Sequence, residues 1–572
     1  MRILLLVHAF NSLSQRLHVE LRRDGHELSV EFDINDDVTR EAVALFRPDL
    51  ILAPFLKRAI PPDVWRRLTC LIVHPGPPGD RGPAALDWAI LRGVDQWGVT
   101  VLQAEAEMDA GPVWASRKFA VRTARKSSLY RNEITEAAVC AVRDALTRFE
   151  NGAGPLSAGA GTRGWQPSLR QSQRAIDWQR DTTTSVLRKL HAADGYPGIE
   201  DVVFELRFRM FDGHRESCLA GRPGTLLARR HGAICRATRD GAVWIGQLQP
   251  VGNGQRGFKQ PATLALGSLA QDLPVSDDDP SAAQRSASLH EIRYQEHGDV
   301  GYLHFDFYNG AMNTAQCERL RAAFAQARRR PTRVIVLMGG TDFWSNGMHL
   351  HCIEAAPSPA DASWENINAI DDLARDILDT DTHLTVSALR GNAAAGGVFL
   401  ALAADVVLAR SGVVINPHYR NMGNLYGSEY WTYLLPRRIG MNAARAIMAE
   451  RLPIGAPEAH ALGLIDAHAG PDFAAFEALI AAHASALRAD ETFAQMLADK
   501  RTRRAHDEHT RPLADYRAAE LDRMRLNFYG FDPSYHVARY RFVHRTAQAW
   551  TPLYLARHRQ LGYSGQRASQ YA

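Results

Sequence analysis

Two stretches of this chain carry residue types suited to chemistry. The first is His74-Pro75-Gly76-Pro77-Pro78-Gly79-Asp80-Arg81-Gly82-Pro83, directly after the apolar run Cys70–Val73. A histidine at a strand end, entering a rigid Gly/Pro loop, is placed for proton transfer. Further on, Gly98-Val99-Thr100-Val101 leads to Glu105, Glu107 and Met108-Asp109-Ala110-Gly111-Pro112. An aspartate near His74 would orient the imidazole and strengthen it as a base, so His74 and Asp109 are the first candidate pair. The second stretch is Phe343-Trp344-Ser345-Asn346-Gly347-Met348-His349-Leu350, with Gly391-Asn392-Ala393-Ala394-Ala395-Gly396-Gly397-Val398 later. Small residues entering an apolar helix let backbone N–H groups approach a ligand. The spacing is not GxGxxG, so a dinucleotide site is not expected. His349-Leu350-His351-Cys352 has metal-ligating types, but no second ligand cluster accompanies it, and no metal site is expected.

These side chains need elements to hold them. In the first segment the apolar runs Ile3–Val7, Leu28–Phe32, Asp49–Ala53 and Cys70–Val73 alternate with helical spacing, such as Ser14–Arg23. That rhythm predicts a parallel, helix-flanked sheet with its chemistry at the carboxyl ends of strands. The middle segment reads as short strands: Val202–Phe211, turned at Asp212-Gly213, then Thr225–Leu227, Ala233–Thr238 and Val243–Gln247. Such spacing predicts a small β-barrel. Strand–helix alternation returns from Val300, and the tail after about Ala484 is helical and too aromatic for a solvated segment. Gly- and Ser-rich Asn151–Gly164 and the acidic, Pro-containing stretch from about Gly267 to Ser288 read as linkers. The expected class is a multidomain α/β protein with domains at 1–155, 165–270 and 290–572, the last with a helical tail from about 485.

Composition narrows the class further. The 572 residues hold 67 Lys and Arg against 63 Asp and Glu, a balance that argues against a nucleic-acid binder. The six cysteines form no CxxC pair, so neither a disulfide framework nor a cysteine-rich zinc site is expected. The apolar start Ile3–Val7 is too short for a signal peptide or a membrane span, and a cytoplasmic protein is expected.

Read together, the first motifs resemble the folate-dependent formyltransferases. The likeness rests on Ala53-Pro54, Ile60-Pro61-Pro62-Asp63-Val64, His74, Arg81-Gly82, Gly98-Val99-Thr100 and Asp109-Ala110-Gly111. It implies a Rossmann-like domain binding N10-formyltetrahydrofolate through Arg81, Gly82 and Asp109, with His74 and Asp109 catalytic. Ala193-Asp194-Gly195-Tyr196-Pro197-Gly198 resembles that family's C-terminal, OB-like barrel. One departure stands out: the family's asparagine falls on Ile72, removing a donor worth about 3 kcal/mol to a developing oxyanion. A thiol acceptor, a better nucleophile at neutral pH than an ammonium, suits such a site.

The later motifs resemble the crotonase (enoyl-CoA hydratase/isomerase) superfamily. Asn309-Gly310-Ala311-Met312-Asn313 corresponds to a coenzyme loop, implying coenzyme A contacts at Asn309 and Ala311. Ala456–Asp466 matches a later helix. By this likeness the N–H groups of Met348 and Gly396 hold a thioester carbonyl oxygen. The hydratase glutamates fall on Phe399 and His418, so ordinary hydration is not expected, and Tyr419 and Glu429 become the candidate proton carriers.

A formyltransferase half joined to a crotonase half, with Gly427–Trp431 and Asn527–His536, resembles the HypX-type nickel–iron hydrogenase maturation proteins. That resemblance implies formyl transfer to coenzyme A and decarbonylation of formyl-CoA, supplying carbon monoxide to the hydrogenase iron. Small-molecule folate and coenzyme A would be partners, with other maturation proteins besides. The alternatives are a formyltransferase joined to an unrelated acyl-CoA hydrolase or isomerase, and a non-catalytic folate- or CoA-binding scaffold.

Overall fold

The run Ile3-Leu4-Leu5-Leu6-Val7 is buried along its whole length, the condition of a central strand with both faces covered. It forms β1 (Arg2–Val7) in a computed structural model that describes residues 1–156, 164–252, 255–276, 287–470 and 472–560. The chain makes two compact units. The first comprises Met1–Ala175, Arg188–Pro197 and the C-terminal segment from Ala547; the second comprises Ile176–Leu187 and Gly198–Thr546.

In the first unit, β2 (Glu27–Phe32), β3 (Leu50–Phe55), β4 (Cys70–His74), the short β5 (Asp80–Arg81), β6 (Gln96–Gln103) and β7 (Val113–Ala120) follow β1. The main sheet has the order β2-β1-β3-β4-β6-β7. Helices Ser12–Arg23 and Asp36–Phe46 start where Asn11 and Asn35 accept hydrogen bonds from the amides of Ser14 and Val38. The four runs read from sequence, β1 to β4, run parallel as expected, and β6 and β7 extend the sheet as antiparallel additions. The short β6–β7 connection, 104–112, makes a hairpin rather than a crossover.

Edge strand β2 is covered by the far end of the chain. The Val30 amide donates to the Leu555 carbonyl at 3.0 Å, and the Phe32 amide to Thr551 Oγ1 at 2.9 Å. Glu31 is fully buried; it contacts Thr551, meets His558 Nε2 at 3.0 Å and accepts from Arg559 Nε at 2.7 Å. Burial opposes its ionisation, yet the bonds from His558, Thr551 and Arg559 hold its carboxyl below the usual range. Capping an edge in this way removes an exposed ladder.

The second unit opens with an antiparallel sheet ordered Leu226–Arg230, Ala233–Ala237, Ala242–Gly252, Leu206–Glu216, Ile199–Val203. Here the reading of Val202–Phe211 as one strand turned at Asp212-Gly213 is overturned. The turn is at Phe204-Glu205, with φ of 49° and 63°, and the next strand runs through Asp212 to Glu216. Gly246 makes room for Asp212, whose Oδ2 would lie 2.1 Å from a Cβ there. The second expected linker is also partly structured: Ala270 and Leu273 are buried, and Pro274 and Ser276 bond to Arg229. Residues 157–163 and 277–286 of the expected linkers lie outside the described residues.

Beyond it stands a six-stranded sheet, Ile292–His297, Val300–Phe305, Val334–Met338, Leu384–Leu389, Val406–Arg410 and Ala467–Ala469, parallel after its first pair. A smaller sheet joins Phe343–Ser345, Asn392–Ala394, Val414–Asn416 and Ile454–Gly455. The helical tail packs inward: Phe528 and Tyr535 belong to the main core, although Phe531 is fully exposed.

Candidate active sites

In the first unit, antiparallel pairing sets His74 opposite Thr100, and Thr100 Oγ1 ties down the following loop by donating to the Gly76 carbonyl at 2.8 Å. The His74 ring lies between two carboxylates. Its Nε2 is 3.0 Å from Asp80 Oδ2, and its Nδ1 is 3.5 Å from Asp109 Oδ2. Hydrogen bonds to both would need a hydrogen on each ring nitrogen. Asp109 Oδ2 also accepts from the Gly82 amide at 3.0 Å. Gly76 is required here, because a Cβ would sit 2.5 Å from both Asp80 Oδ2 and His74 Nε2. Asp80, Arg81, Thr100, Asp109 and Gly111 line a cavity of about 220 Å³. Arg81 pairs with Glu107, and Asp80 Oδ1 is buried with no hydrogen-bond partner among the described residues. Ile72, in β4 opposite Leu102, provides no polar side chain.

The structure thus brings the expected His74 and Asp109 together and adds Asp80. That residue stood in the motif but was read as loop, since a two-residue strand has no periodicity to betray it.

In the second unit, Ala311–Met312 pairs in parallel with Gly347–Met348. Asn346 stitches the two together, its amide donating to the Gly310 carbonyl and its Nδ2 to the Asn309 carbonyl, both at 2.7 Å. Gly347 abuts the start of helix Gly396–Leu402: a Cβ on Gly347 would lie 3.4 Å from the Gly396 nitrogen. The segments bearing the Met348 and Gly396 amides therefore meet, with Ala311 on the strand paired to Gly347 and Asn309 in the turn just before it.

Glu429 completes this region. Its Oε1 lies over Gly396, only 1.9 Å from where a Cβ would be. Its Oε2 accepts from Tyr419 Oη at 2.6 Å and from the Ser428 amide at 3.2 Å. Burial, then the charge of Asp371, pushes the Glu429 carboxyl well above the ordinary carboxylate range, against the bond from Tyr419. Burial and Glu429 raise the Tyr419 phenol likewise. Phe399 stacks on Tyr419 with ring centroids 5.4 Å apart, so the first hydratase-glutamate position is an aromatic wall. His418 is buried and pushed down to about 4 by desolvation and Arg451. His349 accepts from the Cys352 amide and so serves as a helix cap.

Two further buried carboxyls surround Glu429, and both escaped sequence reading. Asp371 is pushed up to about 6 and Glu520 up to about 8, chiefly by burial. A signal existed: Asp371 falls in the buried stripe Ile367, Ile370, Ala374, Leu378, and Glu520 in the stripe Leu513, Met524, Phe528.

The chain matches the formyl transferase family over residues 2–146, the formyl transferase C-terminal domain over 168–259 and enoyl-CoA hydratase/isomerase over 302–547. Fold and sites together define an enzyme built from a formyl transferase module and a crotonase-like module. The chain is 56% identical over 562 residues, 98% of its own length and 97% of the relative's, to hydrogenase maturation factor HoxX of Bradyrhizobium diazoefficiens. The crystal structure of HypX from Aquifex aeolicus in complex with tetrahydrofolic acid is similar at a TM-score of 0.95 and 48% identity, covering 99% of this chain and 100% of that one. A methionyl-tRNA formyltransferase from Aromatoleum aromaticum is 26% identical over 265 residues, 44% of this chain and 78% of the relative. This chain belongs to the HypX/HoxX family of hydrogenase maturation factors. Among the described residues no helix is long and apolar enough to cross a membrane.

Proposed function

We propose that this chain makes carbon monoxide in two steps: formyl transfer from N10-formyltetrahydrofolate to the thiol of coenzyme A, then decarbonylation of formyl-CoA. The product would supply the iron of a nickel–iron hydrogenase in the cytoplasm, alongside other maturation proteins. Three functional segments, 1–155, 165–270 and 290–572, would divide the work into folate site, accessory sheet and CoA site.

In the first step the thiol sulfur bonds to the formyl carbon, the bond from that carbon to N10 breaks, and one proton passes from sulfur to N10. His74, flanked by Asp80 and Asp109, is the group for that proton, and Arg81 and Gly82 border the folate pocket. The folate complex of the Aquifex aeolicus relative supports this reading. Ile72 leaves one oxyanion donor absent, which favours a thiol over an amine as acceptor.

In the second step Met348 and Gly396 N–H would hold the formyl oxygen, with Asn309 and Ala311 beside the coenzyme. A formyl group has no α-carbon, so the enolate route of the crotonase fold is closed. The C–S bond breaks, a proton is given to sulfur, and the formyl proton returns to the donor; atoms balance with no co-reactant. The observation that carries this reading is the Glu429 carboxyl over Gly396, bonded by Tyr419 at 2.6 Å and pushed by burial well above the ordinary carboxylate range. Phe399, standing where hydration would need a carboxylate, speaks against ordinary hydratase chemistry.

The test incubates the protein with formyltetrahydrofolate and coenzyme A and traps carbon monoxide with haemoglobin. Catalytic carboxyhaemoglobin is expected. Formate as the sole product would favour a separate acyl-CoA hydrolase, and no folate turnover a binding scaffold.

A further inference from the structure

Glu429 occupies a strained loop. Gly427 has φ of 92°, and two consecutive residues with side chains, Glu429 and Tyr430, have φ of 57° and 60°. Such left-handed residues with side chains are strained and persist only where their surroundings over-determine them. Two carboxylates from other helices do this. Asp371, on helix Pro359–Leu378, accepts from the Glu429 amide through Oδ1 and from Ser428 Oγ through Oδ2, both at 2.8 Å. Glu520, on helix Leu513–Tyr529, accepts from the amides of Tyr430 at 2.9 Å and Thr432 at 2.8 Å.

We propose that Asp371 is a positioning residue of the second site, fixing the Ser428–Tyr430 loop so that Glu429 presents its proton over Gly396. Glu429 Oε2 already accepts two hydrogen bonds, so the proton resides on Oε1, the oxygen facing Gly396. Asp371 uses both of its oxygens as acceptors, which is the work of an ionised carboxylate, and Arg517 Nε lies 3.7 Å from its Oδ2. The two buried carboxyls oppose each other's ionisation, and the charge is favoured on Asp371, which has the Arg517 cation nearby. The other titratable groups coupled to Glu429 are Tyr419 at its Oε2, Glu520, and Cys317 on helix Thr314–Ala327, a thiol itself pushed up chiefly by burial.

This inference rests on the decarbonylation reading only for its kinetic test. Asp371→Asn keeps the shape and an acceptor while removing the charge. With formyl-CoA supplied directly, carbon monoxide release by the native protein falls as pH rises through the Glu429 titration. In Asp371→Asn that limb is expected to move to lower pH, because the charge that raises the Glu429 carboxyl is gone. Identical limbs would overturn the proposal, because a merely structural Asp371 lowers the rate without moving the limb. Wild-type protein that makes no carbon monoxide at any pH overturns the decarbonylation reading instead. The positioning role is then read by infrared difference spectroscopy against Glu429→Gln. A protonated-carboxyl band from Glu429 is expected in the wild type at neutral pH, and its absence would overturn the inference even if Asp371→Asn failed to fold.

Discussion

Gly396→Ala tests the second site at its tightest point. Gly396 does not have positive φ and begins a helix, so the backbone accepts alanine; the difficulty lies with its neighbour. The new Cβ would fall 1.9 Å from Glu429 Oε1, which must retreat to ordinary contact at 3.4 Å or more. It cannot do so without stretching the 2.6 Å bond from Tyr419 or the bond from the Ser428 amide. Overpacking of this kind costs about 1–3 kcal/mol of stability. Displacing a proton donor by an ångström or more costs about 10²-fold in rate. The assay is carboxyhaemoglobin formation from supplied formyl-CoA, with thermal unfolding followed by circular dichroism. Glu429→Ala provides the second arm of a double-mutant cycle. In that background Gly396→Ala should cost almost no stability, while activity stays lost. A Gly396→Ala protein within twofold of wild-type rate would refute the placement of Glu429 as donor over Gly396. An undiminished stability cost in the Glu429→Ala background would refute the assigned clash.

Three further outcomes are expected. His74→Ala should abolish formyl transfer yet release carbon monoxide normally from supplied formyl-CoA; loss of both by a folded protein would undo the assignment of separate steps. Asp80→Asn should lower formyl transfer by about 10- to 100-fold, the worth of one charge-assisted hydrogen bond of about 1.5–3 kcal/mol, measured as tetrahydrofolate release. Glu31→Gln should lower stability near neutral pH and flatten the acid limb of unfolding. The native carboxyl is held below its unfolded value, so its contribution is full above that value and lost as pH falls through the folded one. Unfolding curves at pH 7 and pH 3 check this.

Much of the fold was legible because its signals are local. Buried runs such as Ile3–Val7 and Val334–Met338 declare central strands, and His74 and Asp109 stand in short motifs with fixed order. The misread hairpin has an equally local cause. Asp212-Gly213 is a strong generic turn signal, whereas Phe204-Glu205 carries neither glycine nor asparagine, and only tertiary packing drives it into left-handed geometry. Asp371 and Glu520 were missed for the opposite reason. They reach the Ser428–Tyr430 loop across 58 and 90 residues of chain, and the mark of their role is a carboxylate set into an apolar helical stripe. Such a charge survives burial only when partners await it, which a single helix cannot reveal.

The return of the C-terminal segment to edge strand β2 has a consequence for synthesis. Thr551 follows Phe32 by 519 residues, and Leu555, His558 and Arg559 come later still, yet all four cover β2 or its Glu31. A nascent chain holding residues 1–175 therefore carries β2 uncovered and Glu31 without these bonds until residues 551–559 have been made. Termination between the formyl transferase module and Thr551 would leave the β2 edge of that module uncovered, so the fold couples this unit to a segment made much later.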